Sequence, residues 1–218
     1  MNLRVCPQTS RALTLIEVLV VIAILMLLAS MIGVPTRRDK EKAQRINCVN
    51  NLKQIGLAYR IWSDDHGGKY PMELSTTNGG TMELIGTTDA WRTYQVMSNE
   101  LSTTKLLFCP ADEERQMYAT NFSTDLKGKI SYFIGVDAVP DQPHAFLSGD
   151  DNFATAGQPV KSGLISLASN APVAWTTARH HLVGNIGLAD GSVLTLNNST
   201  IASWLRQTGL ATNRLAIP

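Results

Sequence analysis

"RALTLIEVLVVIAILMLLASMIGVP" spans Arg11 to Pro35. From Val18 to Val34 it carries no charged side chain. A helix rises 1.5 Å per residue, so roughly 20 such residues cross the ~30 Å hydrocarbon core of a bilayer. With Leu13, Leu15 and Ile16 included, the run is long enough. It is apolar on every side rather than striped, which excludes an amphipathic surface helix. These features predict a transmembrane helix over residues 13–35. The alternatives are a buried core helix and a removable secretory signal. A secretory signal has a shorter apolar centre and a small-residue cleavage site after it, to which "SMIGVPTRR" is a poor match. Arg4 and Arg11 precede the run, and Arg37, Arg38, Lys40 and Lys42 follow it, so basic flanks alone leave its orientation open. Glu17 is the one acid. Placing a carboxylate in hydrocarbon costs on the order of 3 kcal/mol, which is tolerable if Glu17 sits shallow or meets a cation. A cut between Ala12 and Leu13 would supply one, a new α-amino group four residues away.

The stretch A-L-T-L-I-E-V-L-V-V-I-A-I resembles the type IV prepilin signature, with Thr14, Leu15, Ile16 and Glu17 matching as they stand. The resemblance implies a cytoplasmic leader (residues 1–12), cleavage between Ala12 and Leu13 by a prepilin peptidase, and N-methylation of Leu13. It implies that Glu17 pairs with a neighbouring subunit's N-terminus during assembly. It also implies a single-pass bacterial inner-membrane protein, N-terminus in the cytoplasm and body in the periplasm. Its expected partners are other pilin or pseudopilin subunits, an inner-membrane assembly platform and membrane lipid. Two positions depart from the usual pattern: Ala12 stands where Gly is usual, and Leu13 where Phe is usual. Slower processing is the expected consequence.

Gly33 and Pro35 predict a bend, because proline lacks the N–H and clashes one turn back. The helical pattern resumes over 36–66. Cys48, Val49, Leu52, Ile55, Tyr59 and Trp62 form one apolar face, and Asp64, Asp65 and Gly67-Gly68 end it. This amphipathic continuation predicts packing against a sheet. "NCVNNLKQIGLAYRIWSDDHGGKYP" is similar to the segment after the anchor in major-pseudopilin-like proteins of type II secretion, with Asn51–Gly56 and Tyr70-Pro71 matching.

Residues 67–218 change character, with short segments rich in Gly, Thr, Ser and Asn. Ile130–Val136 and Ala171–Thr176 read as strands. "GNIGLADGSVLTLN" reads as a hairpin with a type I′ turn at Asp190-Gly191. "TIASWLRQTG" reads as a short helix with Ile201, Trp204 and Leu205 inward. The whole predicts an α+β, pilin-like fold: a long N-terminal helix laid on a small antiparallel sheet. His180, Asp190 and Gly191 match the H-x9-D-G signature of the same pseudopilin-like group. Asp190 reads as a turn residue, and His180 as a latch near that hairpin.

Within that reading, loss of the leader removes Cys6 and leaves Cys48 and Cys109, which are either bridged or two buried thiols. An extracytoplasmic body permits the bridge, whose loop of about 60 residues would contribute roughly 4 kcal/mol. "SGDDNF" offers Asp150, Asp151 and the Asn152 carbonyl as calcium ligands, against a solvated acidic turn. No cofactor is otherwise implied. His180, His181, Asp150, Asp151 and Asp190 could be imagined as a hydrolase or metal cluster. The chain nevertheless contains no G-x-S-x-G, H-E-x-x-H or C-x-x-C, so an enzyme is not expected. The formal net charge of +1 over 218 residues gives no electrostatic case for a nucleic-acid partner. Hydrophobic residues at 44% and charged ones at 17% suit one packed domain plus extras. Two functions follow: a filament subunit of a type II secretion pseudopilus or type IV pilus-like system, or a singly anchored surface module that binds a partner and never polymerises.

Overall fold

The computed structural model describes residues 13–31, 37–115 and 117–218. The expected leader, the expected cleavage residue Ala12 and the bend expected at Pro35 lie outside the described residues. The chain divides into two compact units, residues 1–39 and 40–218.

In the first unit, α1 runs Leu15–Met31. Its start is a capping box. Thr14 N–H and Oγ1 each donate to Glu17 Oε2 at 2.8 Å, and Glu17 N–H returns to Thr14 Oγ1 at 3.4 Å. The pattern T-x-x-E thus satisfies reciprocally two backbone donors that a helix start otherwise leaves open. The apolar side chains of α1 are exposed, from Ile22 at 45% to Leu15 at 82%. Its 17 described residues span about 26 Å. Among the described residues no helix is long and apolar enough to cross a membrane.

The second unit is built around α2, Arg37–Asp65. The strands are β1 Tyr132–Gly135, β2 Phe146–Asp150, β3 Phe153–Thr155, β4 Gln158–Pro159, β5 Gly163–Ala168, β6 Val173–Trp175, β7 Val183–Leu188, β8 Val193–Asn197 and β9 Thr212–Ile217. Short helices α3 (Arg92–Val96) and α4 (Ser98–Leu101) precede the sheet, and α5 (Ile201–Gln207) lies between β8 and β9. Six strands form an antiparallel sheet in the order β5-β9-β1-β2-β7-β8; β4-β3-β6 form a smaller one. The architecture is α+β and pilin-like, helix against antiparallel sheet.

Side-chain alternation along β1 explains the two cores. Tyr132 and Ile134 join Cys48, Leu52, Ile55, Tyr59 and Trp62 of α2. Phe133, one residue between, joins Phe153, Trp175, Ile201 and Leu205. Both faces of the large sheet are therefore covered, by α2 on one and by α5 with the small sheet on the other. Each large side chain so buried contributes on the order of 1.5–3 kcal/mol.

One sequence expectation needs correction here. The β7–β8 turn is not type I′, which needs positive φ at both central residues. Across 189–191 only Gly191 is left-handed, at +86°. Asp190 Oδ1 instead accepts the Ser192 N–H at 2.8 Å, a bond that holds Asp190 in ordinary backbone space. Gly191 N–H closes on Leu188 O at 3.0 Å, and Leu188 N–H donates to Ser192 O at 2.9 Å, giving a three-residue loop. As expected, α5 turns Ile201 and Leu205 into the core, with Trp204 half-buried against it.

Candidate functional site

One side of α2 is tied to the segment 108–110 at three successive turns. Gln44 Nε2 donates to Pro110 O at 2.9 Å. Cys48 is disulfide-bonded to Cys109, their Cα atoms 5.4 Å apart. Asn51 Nδ2 donates to Phe108 O at 3.0 Å. Positions 44, 48 and 51 share a helix face because their spacings are four and three. Both cysteines are fully buried.

Beside the disulfide lies a charged square. Arg179, 3% exposed, places Nη2 2.7 Å from Asp112 Oδ2 and 2.6 Å from Asp151 Oδ1. Arg115 reaches the same two carboxylates at 2.8 and 2.6 Å. Ser131 Oγ donates to Asp112 at 2.7 Å, and Arg179 Nη1 donates to Ser131 O at 2.9 Å. Burial would raise the Asp112 carboxyl, but Arg179, Ser131 and Arg115 together hold it below its ordinary value. A buried carboxylate is tolerated when paired and hydrogen-bonded in this way.

This corrects the reading of "SGDDNF" as a solvated acidic turn. Asp150 ends β2 and is fully buried, and Asp151 is 7% exposed. The cations facing Asp151 are two guanidinium groups, and the Asn152 carbonyl accepts from Thr176 N–H and Oγ1 at 2.9 and 3.0 Å. Asp151 and the Asn152 carbonyl are thus taken by protein donors.

His180 stands at this cluster, not at the β7–β8 hairpin as a latch. Its Nε2 lies 3.3 Å from Cys109 Sγ and 3.9 Å from Asp150 Oδ2. Burial first, then Arg179, Arg45 and His181, push the imidazole down to about 4. Burial pushes Asp150 up to about 6 against the pull of Arg179 and the Asn185 donors. Near neutral pH the imidazole is therefore uncharged beside an ionised carboxylate. Asp150 Oδ2 takes Asn185 N–H and Nδ2 at 2.8 and 2.9 Å, while Oδ1 is buried with no hydrogen-bond partner. Residues 180–182 all adopt left-handed backbone, with φ of 45°, 49° and 65°. Such residues cost about 1–3 kcal/mol each outside glycine. The neighbouring His181 is 64% exposed at its side chain and 3.2 Å from Glu41.

The two ends of the H-x9-D-G segment therefore meet different parts of α2. At one end His180 reaches Cys109, the disulfide partner of Cys48 in α2. At the other, a Cβ on Gly56 would lie 3.7 Å from Gly191 Cα, and Tyr70 Oη donates to Ala189 O at 3.1 Å. Between them, a Cβ on Gly187 would lie 3.8 Å from Leu52 O. The spacing lets one strand, β7, run along the helix with an anchor at each end. Arg115, Arg179 and Asp112 escaped sequence reasoning, since isolated charges along a chain carry no signal of mutual pairing.

No curated protein and no solved structure matches the chain. The match found does not extend to His180, Asp190 or Gly191. Residues 8–33 match the family model described as the prokaryotic N-terminal methylation motif, so the chain carries a prepilin-type N-terminal segment and is supported as a pilin- or pseudopilin-like precursor.

Proposed function

We propose that this protein is a filament subunit of a type II secretion pseudopilus or a related type IV pilus-like machine. The observation that carries the proposal is the methylation motif over 8–33, opening a helix whose apolar side chains are exposed all round. A prepilin peptidase cuts between Ala12 and Leu13, and Leu13 is N-methylated. The precursor is held in the inner membrane by residues 13–35, leader inside and body in the periplasm. On assembly, α1 helices of neighbouring subunits bury one another's apolar surface, and the body coats the fibre. Glu17 then accepts a neighbour's N-terminal amine. Its capping bonds to Thr14 converge on one oxygen, and a carboxylate has about four acceptor positions, so capping and pairing are compatible. Force comes from the assembly platform, and the chain is structural rather than catalytic.

The decisive experiment is mass spectrometry of the native protein with filament incorporation scored for Glu17→Ala and Glu17→Gln. The expected mature N-terminus is methylated Leu13. Both variants should fail to assemble, although Glu17→Gln keeps an acceptor for Thr14. A native chain that retains Met1, or a Glu17→Ala subunit that assembles normally, overturns the proposal. The first result points instead to the singly anchored surface module.

A further inference from the structure

We propose that Cys48, Cys109, His180 and Asp150 form a four-ligand zinc site when the two cysteines are reduced, and that the disulfide replaces this site on oxidation. The inference is independent of the filament reading.

The donor atoms of these four residues all lie within 4.8 Å of one another. Two sulfurs, one imidazole nitrogen and one carboxylate oxygen make a donor set suited to tetrahedral zinc. The ligands come from four places in the fold: α2, the turn after Phe108, the end of β2 and the left-handed run before β7. The sheet and α2 therefore hold the geometry, not a single flexible loop.

A disulfide alone leaves three features of the cluster without a purpose. Asp150 Oδ1 is buried and has no hydrogen-bond partner. The His180 Nε2 is aimed at sulfur and carboxylate, both acceptors or weak donors. The backbone at 180–182 is held left-handed to put it there. A cation among the four atoms bears on all three: it takes the imidazole lone pair and one Asp150 carboxylate oxygen directly, and its charge offsets the burial of Oδ1. The surroundings also fit. Asp150 Oδ2 is fixed by Asn185 N–H and Nδ2, the kind of outer-shell bond that orients a ligating carboxylate. Two thiolates, one carboxylate and Zn²⁺ leave a net charge of −1. Arg179, though committed to Asp112 and Asp151, keeps positive charge close by.

The exchange balances. Two thiols lose two protons as Zn²⁺ binds. An external disulfide, of the thiol–disulfide oxidoreductase class, then takes two electrons from the zinc-bound thiolates. Its S–S bond breaks and it leaves as two thiolates; the Cys48–Cys109 bond forms, and Zn²⁺ departs unchanged in oxidation state. The metal clip thus holds α2 to the 108–110 turn before oxidation, and the covalent bond holds it after.

The test uses the full chain in detergent, reduced with a phosphine, desalted without oxygen, and titrated with Zn²⁺ alone or Co²⁺ alone. The reduced protein should bind one ion. With Co²⁺ it should show thiolate-to-metal charge transfer and the intense visible bands of four-coordination. The oxidised chain should bind none at that site. His180→Ala and Asp150→Asn should each weaken binding by at least about tenfold, the lower end of what even outer-shell losses cost, while still forming the disulfide on oxidation. Zinc should also protect Cys48 and Cys109 from alkylation, and restore helical signal if reduction loosens the fold. Failure of the reduced chain to bind stoichiometrically overturns the site, as does equal affinity in His180→Ala or in the oxidised protein.

Discussion

The helices α1 and α2 have opposite relations to water. Leu19 in α1 is 54% exposed, whereas Leu52 in α2 is 1% exposed. The second helix alternates an apolar stripe with charged residues and buries the stripe on a sheet. The first has no polar face to leave in solvent and no core of its own to cover it. Apolar area left open on this scale marks a surface meant for another apolar environment. In α2, by contrast, the same kind of side chain is spent on the body's own stability. One chain thus carries a helix that holds its domain together and a helix available to lipid or to other copies.

That contrast can be broken most forcefully through the charged square. Arg179→Met strands Asp112 and Asp151 beside a single remaining guanidinium, and removing one partner of a buried ion pair costs about 3–5 kcal/mol. Denaturant melting of the full chain in detergent should show that loss. Amide exchange in α1 should stay unchanged, because its backbone bonds close within the helix. Exchange rising in α1 together with the body would mean the two units are one cooperative system.

Removing the covalent tie comes next. The two cysteines are 61 residues apart, and replacing both with Ala should cost about 4 kcal/mol on the loop-entropy model. The loss should appear in the same melt and be accompanied by faster exchange around residues 44–51. A change below about 1 kcal/mol would mean that Gln44 and Asn51 already fix this side of α2 without the bond.

The sharpest version of the comparison is one substitution made in both helices. Leu52→Ala opens a cavity and should cost about 2–5 kcal/mol. Leu19→Ala should leave the stability of the isolated chain within about 0.5 kcal/mol, yet reduce filament incorporation. Equal stability losses would place α1 in a core, and an unaffected Leu19→Ala filament would remove α1 from the fibre interior.

How much of this could be read beforehand follows the range of the interactions. The all-round apolar run, the stripe at 48, 52, 55, 59 and 62, and the strand at Tyr132–Gly135 are local patterns and were legible. The position of β9 was not. "TNRLAI" follows a short helix and pairs with β5 and β1, strands far away in sequence, so no local period announces it. The buried charges were equally hidden. Asp150 and Asp151 look like a hydrated turn until Asn185 is folded onto the first, and Arg115 and Arg179, 36 and 28 residues away in sequence, onto the second. His180 was singled out by spacing to Asp190, but its chemistry lies with Cys109, 71 residues away. Spacing identified the right residue and the wrong neighbour.

The smallest expected effect concerns the start of α1, where a cap and the proposed assembly contact share one carboxylate. Thr14→Ala removes Oγ1 from the capping box but leaves Thr14's backbone donor and the charge on Glu17. Loss of such a cap costs typically about 1 kcal/mol, and here it should show only as faster amide exchange over the first turn, residues 15–18. Body stability should not move. If Glu17 acts in the fibre through its charge, Thr14→Ala subunits still incorporate, while Glu17→Gln subunits, which keep an acceptor for the cap, do not. The reverse pattern would mean that the order of the helix start, and not the charge, is what assembly requires, and that the T-L-I-E sequence serves α1 as a capping box first.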